Sequence, residues 1–108
     1  MNEKEPQDSS IPVDEMTPEQ VRREFSAQFG NFAGIDDDER YLYVAMARCM
    51  EIALEQWWHL EITPYHDGRL VAEFCHTRSN ASRIFTEAQT LTEALARLVL
   101  NALRGGAK

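Results

Sequence analysis

His59, Glu61, Glu73 and Cys75 place an imidazole, two carboxylates and a thiol within a short stretch of this chain, and those are the donor types that bind metals. They share a face only if the segments carrying them pair as a hairpin. Residues 58–63 and 69–75 alternate apolar and polar groups, and His66-Asp67-Gly68 between them supplies a tight-turn signal. With a three-residue loop and Gly68 in the left-handed conformation, Leu60 faces Phe74, Ile62 faces Ala72 and Pro64 faces Leu70. All three pairs are apolar and lie on one side. The other side then carries His59 with Cys75, Glu61 with Glu73 and Thr63 with Val71. A two-residue loop would set Ile62 against Glu73 and mix the faces, so the longer loop is expected.

Zinc requires three or four ligands converging within about 2–2.3 Å of one point. Cross-strand neighbours on a flat sheet need a further element to converge in that way. The expectation is therefore an outer sheet face with no metal and no cofactor, with a small metal-assisted enzyme on His59, Glu61, Glu73 and Cys75 as the alternative function. Glu61 opposite Glu73 is a local repulsion that Arg69, Arg83 or a basic partner would relieve.

Partner-binding candidates are Trp57, Trp58, Arg69, Arg78 and Arg83. Adjacent tryptophans cannot both enter one core, so one is expected inside and the other at least partly exposed: the first reading is two rings packing two sides of a corner, and the alternative is an exposed contact residue. The three arginines could form a small basic patch at one end of the sheet, but a charge scatter on a solvated face is the commoner case, and the interleaved aromatics of a single-strand binder are lacking. No phosphate-cradling glycine loop, nucleophile elbow or zinc-protease helix motif occurs, and no catalytic residue is assigned. The protein is expected not to be an enzyme.

The elements that position these residues follow from periodicity and caps. Thr17-Pro18-Glu19-Gln20 is a capping box with proline at the first helical position, starting a helix over 18–29 that presents Val21, Phe25 and Phe29. Asn31-Phe32-Ala33-Gly34-Ile35 is a linker with two apolar anchors. Asp36-Asp37-Asp38-Glu39 opens a helix over 37–57. Its core stripe is expected to be Leu42, Met46, Cys49, Ala53 and Trp57, widened by Tyr41, Ala45 and Ile52. Val44, Met50 and Leu54 point to a second layer. Arg78-Ser79-Asn80 reads as a turn and residues 82–86 as a third strand. Thr90-Leu91-Thr92-Glu93 caps a last helix with Leu91, Leu95, Leu98 and Ala102 inside and Glu93, Arg97 and Asn101 on the wet side. Gly105-Gly106 ends it.

The result is an α+β fold of order α-α-β-β-(β)-α, a small antiparallel sheet of two or three strands covered by helices. Residues 17–108 form a single domain, and residues 1–16 are expected to be a disordered acidic tail from which Ile11, Val13 and Met16 could dock. Five of the 18 acids lie in that tail against Lys4, leaving 13 acids and 10 bases in the body. The formal charge of −7 is thus concentrated in the tail, and direct nucleic-acid binding, which needs clustered lysine or arginine, is not expected. No apolar run spans a bilayer, the N-terminus is too polar for a secretory signal, and Cys49 and Cys75 form no C-x-x-C pair. A cytoplasmic protein with two free thiols is expected.

The Trp-led hairpin Trp58-His59-Leu60-Glu61-Ile62-Thr63-Pro64, the acidic helix before it and Thr90-Leu91-Thr92-Glu93-Ala94 at the closing helix resemble the phage ABA sandwich domain over roughly residues 37–104. The helix at 18–29 is additional to that pattern. The resemblance implies a phage or prophage origin and an accessory role, and it brings no catalytic residues with it. The function expected is a non-catalytic protein-interaction module, a modulator of a host or defence protein. The partners expected are that protein and a second copy, which would complete the sheet edge and the 18–29 helix as a homodimer.

Overall fold

Thr17 starts the first helix as the sequence requires: its hydroxyl accepts from the Gln20 amide at 3.2 Å while the Gln20 side chain accepts from the Thr17 amide at 2.8 Å. Helix α1 (Pro18–Phe29) ends at Gly30, whose φ of 135° disfavours a side chain and where a Cβ would lie 3.3 Å from the Phe32 ring. Helix α2 runs Asp38–Gln56, followed by strands β1 (Trp58–Pro64), β2 (Leu70–His76) and β3 (Ser82–Ala88), then helix α3 (Leu91–Leu103). The computed structural model describes residues 11–30, 32, 37–79 and 81–105, with the Ser82 side chain left aside. The tail over 1–10, Asn31, the segment 33–36 with its anchor Ile35, Asn80 and Gly106 lie outside the described residues.

The sheet is an antiparallel meander in the order β1-β2-β3. Its first register is the one the turn dictates: Leu60 faces Phe74, Ile62 faces Ala72 and Glu61 faces Glu73. Tyr65 donates its amide to the Arg69 carbonyl at 2.8 Å around a Gly68 with φ of 96°. The third strand is present and runs two residues longer than the 82–86 expected, to Ala88. Beside it the register shifts between Phe74 and Cys75, so Arg83 is the extra residue of a bulge.

Helix α3 is the centre of the molecule. Every residue from Ala94 to Leu100 is buried, because β2 and β3 cover one side, α2 and α1 two others, and the chain around Val13 the last. The Thr86 hydroxyl, inside this core, donates to the Ala94 carbonyl at 2.9 Å. Phe25, Phe29, Phe32 and Tyr41 form a cluster of tilted and stacked rings between α1 and α2.

Two expectations are corrected here. Residues 11–16, grouped by composition with the acidic tail, fold onto α3 as a strap with a short 3-10 turn at Val13–Glu15, and Val13 and Met16 are buried. Arg97, expected on a wet face, is buried beneath that strap. It donates to the Val13 carbonyl at 2.6 Å and the Met16 carbonyl at 2.7 Å, and pairs with Glu93 at 2.6 Å. Asn101 reaches Asp14 at 3.5 Å and Arg104 donates to the Ile11 carbonyl, so three polar groups along α3 hold the strap. A strap without a strand partner has backbone carbonyls to satisfy, and the polar edge of α3 satisfies them.

Candidate functional site

Helix α2 buries Tyr41, Ala45 and Cys49 against α3 and the sheet, a stripe at four-residue spacing. The Cys49 thiol lies 3.5 Å from the Leu95 carbonyl, and burial pushes its pKa up to about 12. A second stripe runs along the opposite side: Tyr43, Met46, Met50, Leu54 and, at the helix end, Trp57 are all exposed. Met46 and Trp57 were expected in the core stripe, and they lie outside it. Met50 and Leu54 leave the core as expected but meet no second layer among the described residues. The cause is geometric: a helix lying on one corner of a three-stranded sheet is covered on one side only.

Trp57 is the extreme of this stripe. It is 80% exposed, while Trp58 beside it is 8% exposed and packs its ring 5.5 Å from that of Phe74. The split expected between the two tryptophans is therefore present, with Trp57 outside. Trp57 also has φ of 62° and ψ of 39°, the only non-glycine residue with positive φ among those described. A left-handed residue at a helix C-terminus is usually glycine, because a side chain there crowds the following carbonyl at about 1–2 kcal/mol.

Four of the five partner-binding candidates gather at this end of the sheet. Trp57, Trp58, Arg78 and His76 line one open cleft of about 420 Å³, and the Arg83 guanidinium lies 6.0 Å from the Trp58 ring. Arg69 does not join them. It sits at the other end of β2, pairing with Asp67 and Glu87 at 2.9 Å each, so the three-arginine patch does not form. Those pairs also commit Arg69 away from Glu61 and Glu73.

On the outer sheet face, His59, Glu61 and Cys75 bring one ligand atom each to within 4.8 Å of one another, and Glu73 is not in that group. His59 Nε2 lies 3.6 Å from Glu61 Oε2, and the Cys75 thiol 4.0 Å from Glu61 Oε1. Burial, then the charges of Glu73 and Glu61, raise the Cys75 pKa and keep its sulfur protonated. A metal there would have to displace that proton.

A cleft of about 610 Å³ lies where the N-terminal ends of the three helices meet, between Arg22, Asp38, Tyr41 and Glu93. Within it Arg22 pairs with Asp38 at 2.7 Å, and Glu93 pairs with Arg97. Burial raises the Tyr41 hydroxyl to about 12, so it stays neutral at ordinary pH. None of this resembles an activated nucleophile.

No family model, curated protein or solved structure matches this chain.

The exposed stripe is thus a feature that folding leaves unexplained. Sequence periodicity contains it, since residues 43, 46, 50, 54 and 57 recur at helical spacing. Which of the two apolar sides faces the core was the missing information.

Proposed function

We propose that this protein is a non-catalytic interaction module whose binding surface is the outer face of α2, with Trp57 as its anchor. The observation that carries the reading is Trp57 itself, a large indole left in water on a backbone conformation that favours glycine. For folding alone, glycine at that position would be better. A strained residue with an exposed aromatic side chain is a sign of work done outside the fold. Tryptophan is also among the residues that dominate binding energy at interfaces. Four further large apolar groups in line with it give the anchor a surface to belong to.

An accessory role in a phage or prophage setting, acting in the cytoplasm on a host or defence protein, belongs to the same proposal. No described helix is long and apolar enough to cross a membrane. The test is capture from a bacterial lysate on immobilised protein. Wild type retains a protein that Trp57→Gly and Leu54→Gln do not; equal retention by all three assigns binding elsewhere.

A second reading, a metal-assisted site on His59, Glu61 and Cys75, is supported by the 4.8 Å spread of their donor atoms. Dialysis against zinc followed by metal analysis separates the two. One zinc per chain, lost in both His59→Ala and Cys75→Ala, favours the metal reading; none favours the interaction module.

A further inference from the structure

We infer that the outer face of α2 recognises itself: two copies of this chain pair their α2 helices antiparallel about a two-fold axis beside Met50. The inference rests on the reading of this face as a binding surface and names its occupant.

The stripe itself is built to meet its own reverse. Its members are spaced by three, four, four and three residues, an order that reads the same from either end. With the helices antiparallel, Tyr43 meets Trp57 of the second copy, Met46 meets Leu54, and Met50 meets Met50. Each contact sets one large apolar group against another, and the two-fold operation makes every contact occur twice, as an isologous interface requires. Ala47, small and exposed beside Met50, lets the two backbones approach to about 8–10 Å.

Charge selects the direction. Parallel pairing would set the Asp37, Asp38 and Glu39 ends of two helices side by side, with Glu39 in line with the stripe. Antiparallel pairing separates those acids and aligns the helix dipoles favourably. The area is adequate as well. The five side chains expose on the order of 600 Å² per chain, so a pair covers about 1,200 Å², the lower bound of a specific interface, before any flanking residue is counted. The second copy thus takes a different place from the one expected from sequence, because α1 already spends Val21 and Phe25 on its own core.

Sedimentation equilibrium on the full chain across the micromolar range tests this. Wild type should rise with concentration from the 12.4 kDa of one chain to twice that mass. Met50→Glu and Leu54→Gln, both at exposed positions, should remain at one chain with an unchanged circular dichroism spectrum. Orientation is read by mixing Met46→Cys chains with Leu54→Cys chains under mild oxidation. The mixture should form a disulfide-linked dimer that neither variant forms alone, and the native Cys49 and Cys75 are buried.

A single-chain mass at every concentration overturns self-pairing. If Trp57 still captures another protein, only the choice of occupant has failed. A dimer that survives both Met50→Glu and Leu54→Gln overturns the assignment of the seam. Cross-linking of Met46→Cys chains to one another overturns the antiparallel order.

Discussion

Helices α2 and α3 are both apolar on more than one side, and they meet opposite fates. In α3 every side from Ala94 to Leu100 finds cover, including the polar edge, where Arg97 holds the strap over 11–16. In α2 the Tyr41, Ala45 and Cys49 side is covered and the Tyr43, Met46, Met50, Leu54 and Trp57 side is not. Helix α2 is the more charged of the two, with six charged residues to two in α3. They differ in position as well: α3 packs on β2 and β3 with α1, α2 and the strap around it, and α2 packs on α3 and the β1 edge. An apolar side at the centre is used for folding, and one at the edge stays exposed.

The contrast is sharpest in matched substitutions. Leu98→Asp puts an unpaired carboxylate into a fully buried site and should abolish the cooperative urea transition, since the cost rivals the whole stability of a small domain. Leu54→Asp, 78% exposed, should leave the midpoint of a highly diluted sample within about 0.5 kcal/mol of wild type. Comparable losses in both would erase the distinction between the helices.

Arg97→Met attacks the covered polar edge of α3. It leaves the Glu93 carboxylate without its partner and the Val13 and Met16 carbonyls without donors, so a loss of about 3 kcal/mol is expected in urea denaturation. Amide exchange at Glu15 and Met16 should accelerate ahead of exchange within α3. Uniform acceleration would mean that the strap is not a separate unit.

Alkali tests the buried side of α2. Burial raises the Cys49 thiol from 9.0 to about 12 and the Tyr41 hydroxyl from 10.0 to about 12. Each folded-state pKa lies above its unfolded value. The stabilisation is therefore whole below about pH 9 and is lost as the pH rises towards 12. The melting temperature should fall across that window, and Tyr41→Phe should reduce the slope. A melting temperature flat to pH 12 would contradict the burial of both groups.

Trp57→Gly has a smaller effect of opposite sign. Removing the side chain from a left-handed position should raise the stability of the isolated chain by about 1 kcal/mol. A loss instead would mean that the indole packs within its own chain.

These tests also mark where the sequence could and could not be read. The hairpin was legible because a period of two and one Asp-Gly turn allow a single register that keeps Leu60, Ile62, Phe74 and Ala72 together. The caps at Thr17 and Thr90 were legible because their signals are local. The outer face of α2 was half legible. Periodicity shows two apolar sides on 38–56 without saying which the sheet will cover, so Met46 and Trp57 were assigned to the wrong one. The basic patch failed for a related reason: Arg69 and Arg78 flank the same strand from opposite ends. The role of Arg97 had no local signal at all, because its carbonyl partners lie more than eighty residues earlier in the chain.

Trp57 provides its own probe of whether the uncovered side of α2 becomes covered. In a Trp58→Phe background it is the only indole in the chain, and its emission can be followed as protein concentration rises through the micromolar range. Self-pairing predicts a spectrum of hydrated indole at high dilution that moves to shorter wavelength as the second copy closes over the stripe. An emission maximum that stays at the hydrated position at every concentration would contradict it.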